Sequence, residues 1–383
     1  EGVPYEVVPG VTSAIAVPAY QGIPVTHRDF CSSVHIITGH KREGEAYNID
    51  FEALVRTKGT LVFLMGVSSL GAICDGLLKA GIRPEMPAAL LARGTTAAQN
   101  RIVATVATLP ETVARHGAIT PAIIVVGEVC ALADEFSWAE KRVLGGVRVF
   151  VTRPKELAGT LSLRLRKLGA EVVEIPAIQT KAREGGAFAE ALDTVDAFDW
   201  IVFTSPTGVR IFFEEMKRKK LDVRRLAKTR FAVIGSGSEK ELEKYGFYGD
   251  LMPEVYDGEH LGMALAAVCE EELAKKDTEK SLRILIPRAA IGNQELISAL
   301  AQVSGLEVSD VPTYDTYYGL DTEEETPALD LAAELSSGGR DYVIFTSAST
   351  VKGFAAAAAG LDDTKVRAIC IGRQTKEAAD ALG

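Results

Sequence analysis

The chain has 383 residues, 47% of them hydrophobic and 25% charged, and a formal net charge of −10. That length exceeds what one hydrophobic core usually serves, so two or three domains are expected, and the composition is that of an ordinary globular protein. The acidic balance argues against a nucleic-acid partner, because phosphate binding needs a basic surface, yet it leaves room for a small polyanion held by local arginines.

Residues 1–134 open with EVVPGVTSAIAVPAYQGI, a turn at Pro9 and Gly10 followed by a helix capped by Thr12 or Ser13 and ending near Gly22. Ala14, Ala16 and Ala19 let that helix pack close to a sheet or a ligand. The strand patterns SVHIITGH, TLVFLMG, AALLARGT, RIVATVATL and TPAIIVVGEV follow. Several finish in glycine or a small polar residue, which lets backbone approach a ligand. The segment EFSWAEKRVLGG, 135–146, is charged, ends in Gly145 and Gly146 and reads as a linker.

From 147 onward the sequence repeats itself. VFVTRP at 149–154 resembles ILIPRA at 284–289, each a strand ending in arginine, with Arg153 and Arg288 offset by 135 residues. VVEIPAIQT at 172–180 matches VSDVPTYDT at 308–316, DWIVFTSPTGVRIFF at 199–213 matches DYVIFTSASTVKGFA at 341–355, and FAVIG at 231–235 matches AICIG at 368–372, at offsets of 136, 142 and 137. Blocks in one order at such similar spacing define a duplicated α/β unit. Called A, B, A′ and B′ in chain order, they allow two folds: a tandem one pairs A with B, and an interleaved one pairs B with A′ and A with B′. Spacing alone does not choose between them.

Thr204-Ser205 and Thr346-Ser347 each stand between a buried strand and a helix N-terminus, where the hydroxyls can cap the helix and first-turn N–H groups remain to face an anion. Ser236, Gly237, Ser238, Gly372 and Arg373 occupy the ends of the other repeated strands. In doubly wound sheets such ends line the ligand crevice, and backbone N–H groups with hydroxyls can hold several carboxylates. Arg153 and Arg288 are candidates for forked carboxylate contacts, the alternative being pairing with nearby acids. The Lys217–Lys220 run reads as a solvated helix end. No nucleophile–base pair, HExxH or histidine–carboxylate arrangement stands at a useful spacing, which points to chemistry governed by positioning.

Cys31, Cys74, Cys130, Cys269 and Cys370 form no CxxC pair and mostly sit in apolar runs, so they are expected to be reduced core residues of a cytoplasmic protein, with no metal site. No apolar run reaches the roughly 18–20 residues that span a bilayer, and no secretory leader is expected. The start at Glu1 and the stop at Gly383 just after a helix suggest a fragment cut at both ends.

VVPGVTSAIAVPAYQGIPVTHR, TLVFLMG, LLARGTTAAQNRIVATV and TPAIIVVGEV, in that order over nearly all of 1–134, resemble the C-terminal part of uroporphyrinogen-III C-methyltransferase, of the tetrapyrrole methyltransferase family. The resemblance implies S-adenosylmethionine held between two α/β lobes, with contacts at Thr12, Ser13, Met65, Gly94 and Ala122. Read without it, Thr12 is a helix cap, Met65 core packing and Gly94 a turn. It also implies a homodimer for the complete methyltransferase. The family's first lobe, with its glycine-rich loops and proton-handling residues, is not in this sequence, so an incomplete cofactor site without methyl transfer is expected.

VRVFVTRP, FTSPTGVRIFF, VIGSGSEKEL, ILIPRA, VPTYDTY, FTSASTVKGF and IGRQTKEAADALG, spanning 147–383, resemble uroporphyrinogen-III synthase. That resemblance implies the interleaved alternative: two flavodoxin-like α/β domains, 147–180 with 317–383 and 181–316, joined by two extended crossings, PAIQT and PTYDTYY, with the ligand in the cleft between them and no cofactor. Proline suits such crossings because it biases the preceding residue away from helix. The implied substrate is hydroxymethylbilane, a linear tetrapyrrole rich in carboxylates. Loss of its terminal hydroxyl gives an azafulvene, and closure through a spiro intermediate inverts ring D to give uroporphyrinogen III. Tyr314 stands where the family's motif has a tyrosine thought to assist that loss, and a phenol can donate a hydrogen bond to the departing hydroxyl. Its repeat counterpart is Ile178, Tyr317 and Tyr318 are close enough to be confused with it, and the alternative is a tyrosine wedged in a linker strand.

Together the two resemblances imply a bifunctional enzyme of tetrapyrrole biosynthesis whose methyltransferase part, when complete, carries uroporphyrinogen III toward precorrin-2, sirohaem or cobalamin. The alternatives are a non-catalytic two-domain α/β module that binds a small ligand, and a chain in which only one part is active.

Overall fold

Apolar runs long enough to be buried on both faces build the first sheet. Its strands are β1 (Val34–Thr38), β2 (Thr60–Leu64), β3 (Pro87–Ala92), β4 (Asn100–Thr105) and β5 (Ala122–Val126), in the order β1-β2-β5-β3-β4. β1 and β2 run parallel, and β5 and β4 are antiparallel to their neighbours. The three central strands are almost continuously buried, as strands covered on both faces must be. One face packs against the helices Leu70–Lys79 and Leu109–His116 through Ile73, Leu77 and Leu109. The other receives the helix Ser13–Tyr20 through Ala14 and Val17. The computed structural model describes residues 6–40, 49–117, 119–152, 155–175, 177–183, 185–275, 281–292, 294–318, 331, 340–360 and 366–383.

Residues 135–146, read as a linker, are folded down. Trp138 donates from its indole nitrogen to the Ala19 carbonyl at 2.9 Å, and its ring lies 5.1 Å from that of Tyr20. Arg142 stands 6.0 Å from the Trp138 ring and donates to the Arg166 and Lys167 carbonyls at the end of the helix Lys155–Leu168, where unpaired carbonyls attract a cation. Composition marked the segment as polar and glycine-ended; the two long side chains that pin it are a tertiary effect.

The chain continues through β6 (Val147–Val151) and β7 (Glu171–Glu174), then leaves for a second unit. There it forms β8 (Ile178–Ala182), β9 (Trp200–Phe203), β10 (Arg230–Val233), β11 (Leu282–Ala289) and β12 (Leu306–Tyr318). It returns as β13 (Arg340–Phe345) and β14 (Arg367–Cys370). The division falls between Ala177 and Ile178 and between Asp321 and Thr322.

Pairing decides between the two possible folds. β13 lies beside β6, with Tyr342 opposite Val149 and Ile344 opposite Val151, whereas β9 lies beside β11, with Ile201 opposite Leu285. Block A joins B′, and B joins A′. The sheets read β7-β6-β13-β14 and β12-β11-β9-β10, all parallel and in equivalent order, with β8 added antiparallel to the far end of β12. Each has the 2-1-3-4 order of a flavodoxin-like doubly wound sheet. The second unit's core is aromatic, with Phe203 stacked on Phe231 at 6.1 Å and Phe213 on Tyr245 at 4.4 Å.

Candidate functional site

Strand order sets the expected ligand residues of the second unit in a row along the carboxyl edge of its parallel sheet: Ser236–Ser238 after β10, Thr204-Ser205 after β9, Arg288 at the end of β11, and Tyr314 on β12. Ser205 is extended (φ −163°, ψ 153°) and its Oγ accepts from the Gly208 N–H at 3.0 Å, capping the helix Pro206–Arg218, which has Pro206 in its first turn. Gly208 lets that helix start against β11, since a Cβ there would lie 3.1 Å from the Pro287 carbonyl oxygen. A Cβ on Gly237 would meet Pro206 at 3.4 Å, so the 204–206 and 236–238 corners adjoin.

Tyr314 reaches this corner from β12. Its hydroxyl lies 2.8 Å from Ser205 Oγ, and the side chain is 5% exposed. The β11–β12 register shifts between Arg288 and Ala289, so Ala289 rather than Ala290 stands opposite Tyr314; such irregularities re-aim side chains. Burial raises the phenol's pKa above its ordinary value. Tyr317 and Tyr318, close enough in sequence to be confused with Tyr314, are exposed.

Arg288 is buried, and its guanidinium forks onto Asp310 with both contacts at 2.7 Å. The local pairing that the sequence left open is the one present, and Asp310, one strand away in register, was not singled out as its partner. Ser236 and Gly237 are exposed at the start of the helix Ser236–Glu243, while Ser238 points inward without a hydrogen-bond partner.

The equivalent edge of the other parallel sheet is built differently. Ser347 and Thr350 form a reciprocal capping box at 3.3 Å each way, and Ser347 Oγ also lies 2.9 Å from Ser349 Oγ. Thr346 is half-buried beside them, and Gly372 and Arg373 start the exposed helix Arg373–Asp380, with Arg373 3.4 Å from Glu377. Arg153 lies outside the described residues. Ile178, the repeat counterpart of Tyr314, pairs in register with Tyr318.

A cavity of about 1020 Å³ opens beside the first sheet. Ser13, Met65, Gly94 and Ala122 line it together, whereas Thr12 caps the helix Ser13–Tyr20 through its hydroxyl at 3.3 Å and is not in the lining. Met65 and Arg93 adopt left-handed backbone (φ 56° and 46°), strain that concentrates at ligand sites. Met65 is 63% exposed, so it is no core residue. Gly94 is required by contact: a Cβ there would overlap the Val17 side chain. Two residues that strand patterning gave no reason to single out complete the wall. Arg148 of β6 borders it, and Glu171 of β7 accepts the Ala97 N–H at 2.6 Å. The cavity is within the size range of small-molecule sites and, with backbone brought close at Gly94, fits an adenosyl group.

Among the described residues no trio of His, Cys, Asp or Glu could hold a metal, and no helix is long and apolar enough to cross a membrane. Cys74, Cys130 and Cys269 are buried free thiols; Cys31 and Cys370 are partly exposed.

Fold and edges define the class: a doubly wound α/β protein with a duplicated, interleaved pair of parallel sheets, preceded by a mixed-sheet lobe carrying its own cavity. Comparison with known sequences narrows it. The family model described as uroporphyrinogen-III synthase HemD matches residues 159–383, and that of the tetrapyrrole (corrin/porphyrin) methylases matches 1–110. A porphyrin biosynthesis protein HemD of Ruminiclostridium josui is 42% identical over 378 residues, covering 98% of this chain and 72% of that protein. The chain belongs to the uroporphyrinogen-III synthase family and carries tetrapyrrole methylase sequence ahead of the synthase part. A uroporphyrinogen-III C-methyltransferase of Bacillus subtilis is 37% identical over 247 residues, 64% of this chain but only 50% of that protein, so the chain spans half the length of this relative. A solved uroporphyrinogen III synthase of Thermus thermophilus aligns over 62% of this chain and 89% of its own, at 20% identity and a TM-score of 0.43.

Proposed function

We propose that the chain cyclises hydroxymethylbilane to uroporphyrinogen III with inversion of ring D and loss of water, and that its first lobe is the adenosyl-binding part of a uroporphyrinogen-III C-methyltransferase. In this reading 1–134 is the methyltransferase-type lobe, and 147–180 with 317–383 and 181–316 are the two synthase domains. The observation that carries it is the buried Tyr314 phenol on Ser205 at the carboxyl edge of the second unit. The phenol is protonated at neutral pH, and burial moves its pKa further from that range, so it is in the state that can donate to a departing hydroxyl. Ser236, Gly237, Thr204, Thr346, Ser347, Gly372 and Arg373 offer hydroxyls, exposed first-turn N–H groups and one exposed guanidinium to the substrate's carboxylates. Arg288 fixes the β11–β12 edge through Asp310.

Uncatalysed closure gives the symmetrical type I isomer, so the test is product identity. Incubation with hydroxymethylbilane followed by oxidation and separation of the porphyrins is expected to give type III; type I alone would leave a ligand-binding module.

The cavity supports the second part of the reading. S-Adenosylmethionine, when bound, supplies an electrophilic methyl group; Ser13, Met65, Gly94 and Ala122 are the residues that would hold it. Calorimetric titration with S-adenosylhomocysteine is expected to show binding that Gly94→Ala removes, because the added methyl forces Val17 out of place. Equal binding by both proteins would move the ligand elsewhere.

A further inference from the structure

Resting on the synthase reading above, we propose that Ser205, not Tyr314, is the hydroxyl that meets the departing group, with Tyr314 supplying its proton through Ser205. The argument is a count of protons and lone pairs at two oxygens. A serine hydroxyl has one proton and two lone pairs. Ser205 Oγ accepts from the Gly208 N–H at 3.0 Å and lies 2.8 Å from the Tyr314 hydroxyl. Among the described residues Ser205 is the only hydrogen-bond partner of that phenol, and Tyr314 is 5% exposed. A buried phenol proton needs an acceptor, so Tyr314 donates to Ser205. Both Ser205 lone pairs are then filled, and its own proton is free to be donated outward. Ser205 is also the more accessible of the two, being half-buried at the helix start.

The step balances. The Ser205 proton passes to the substrate's terminal hydroxyl, the carbon–oxygen bond breaks with its electron pair going to oxygen, and water leaves. The Tyr314 proton moves to Ser205 Oγ, and the pyrrole electrons form the azafulvene double bond. After ring closure, the proton lost from the new macrocycle returns through Ser205 to Tyr314. The molecule contains its own contrast: in the other copy Ser347 Oγ faces Ser349 and Thr350, and Ile178 stands at the counterpart of Tyr314, so a relay of this kind exists in one copy only.

The test compares Ser205→Ala, Tyr314→Phe, the double variant and Ser205→Thr in the full chain with hydroxymethylbilane, reading kcat and KM for type III product separately, with a thermal melt of each. If the relay operates, each removal lowers kcat by about 100-fold or more at little-changed KM, and the double variant is no slower than the worse single one. Ser205→Thr, which keeps both cap and hydroxyl, retains kcat within about tenfold. Wild-type kcat in Ser205→Ala with a slow Tyr314→Phe would overturn the relay and leave the synthase reading intact, the phenol acting directly. Wild-type kcat in both would overturn the relay and remove Tyr314 from the chemistry. Type I product from the unaltered protein would instead remove the reading on which the relay rests.

Discussion

Tyr314 and the buried thiols show how burial leads in setting what a side chain can do. Cys74 is pushed up to about 11 from 9.0, chiefly by burial and then by Asp75, and Cys130 is raised further, again by burial first. Tyr314 moves in the same direction for the same leading reason. A group whose pKa is higher folded than unfolded stabilises fully below its unfolded value, and that contribution is lost as pH rises through the folded value. The midpoint of urea unfolding is therefore expected to be level from pH 7 to about 9 and to fall toward pH 11, with Cys74 alone worth on the order of 2–3 kcal/mol at the alkaline limit. A midpoint unchanged at pH 10.5 would contradict that. At this scale the sequence announced types but not partners. Ser205 and Tyr314 could each be named, yet 109 positions separate them, and their 2.8 Å contact depends on a strand register no local pattern encodes. Whether Arg288 was a fork for ligand or paired with an acid stayed open, because Asp310 reaches it only through pairing of β11 with β12.

The repeated element, acid–strand–Thr-Ser–helix, is held in register by its first residue. Asp341 lies opposite Arg148 across β13 and β6 and takes its guanidinium in a fork at 3.0 and 2.7 Å, with both side chains almost fully buried. In the other copy, Asp199 accepts the Arg283 backbone N–H at 2.9 Å and returns its own N–H to the Arg283 carbonyl. Each acid thus ties its element to the strand that the interleaved fold, and not the tandem one, puts next to it. Breaking a buried pair strands a charge, so Asp341→Asn is expected to cost about 3–5 kcal/mol in urea unfolding. Asp222→Asn, which breaks the exposed contact with Arg224, is expected to leave the urea midpoint unchanged. Equal losses would mean that the Arg148–Asp341 fork does not hold the sheet. The acid was visible in both sequence copies; its work was not, because nothing local distinguishes a strand-heading aspartate that faces solvent from one that faces an arginine.

For the whole molecule, net charge sets the approach of a polyanion. At −10 the protein repels hydroxymethylbilane at long range, and salt screens that repulsion beyond roughly 10 Å. kcat/KM is expected to rise by about two- to threefold between roughly 20 mM and roughly 200 mM NaCl; a fall would show that local cations dominate encounter. The order A-B-A′-B′ was legible because duplication survives in short blocks, and its alternatives were limited to two. The choice lay in long-range strand pairing, as did the packed segment 135–146 and the sharing of one cavity wall by Arg148 and Glu171. The central claim is that this duplicated α/β architecture directs ring closure of a linear tetrapyrrole. It is tested most directly by the isomer ratio formed from hydroxymethylbilane with the unaltered chain beside Tyr314→Phe and an enzyme-free control. The account predicts mainly uroporphyrinogen III from the unaltered chain, with type I taking over in the other two; the same type I product in all three would contradict it.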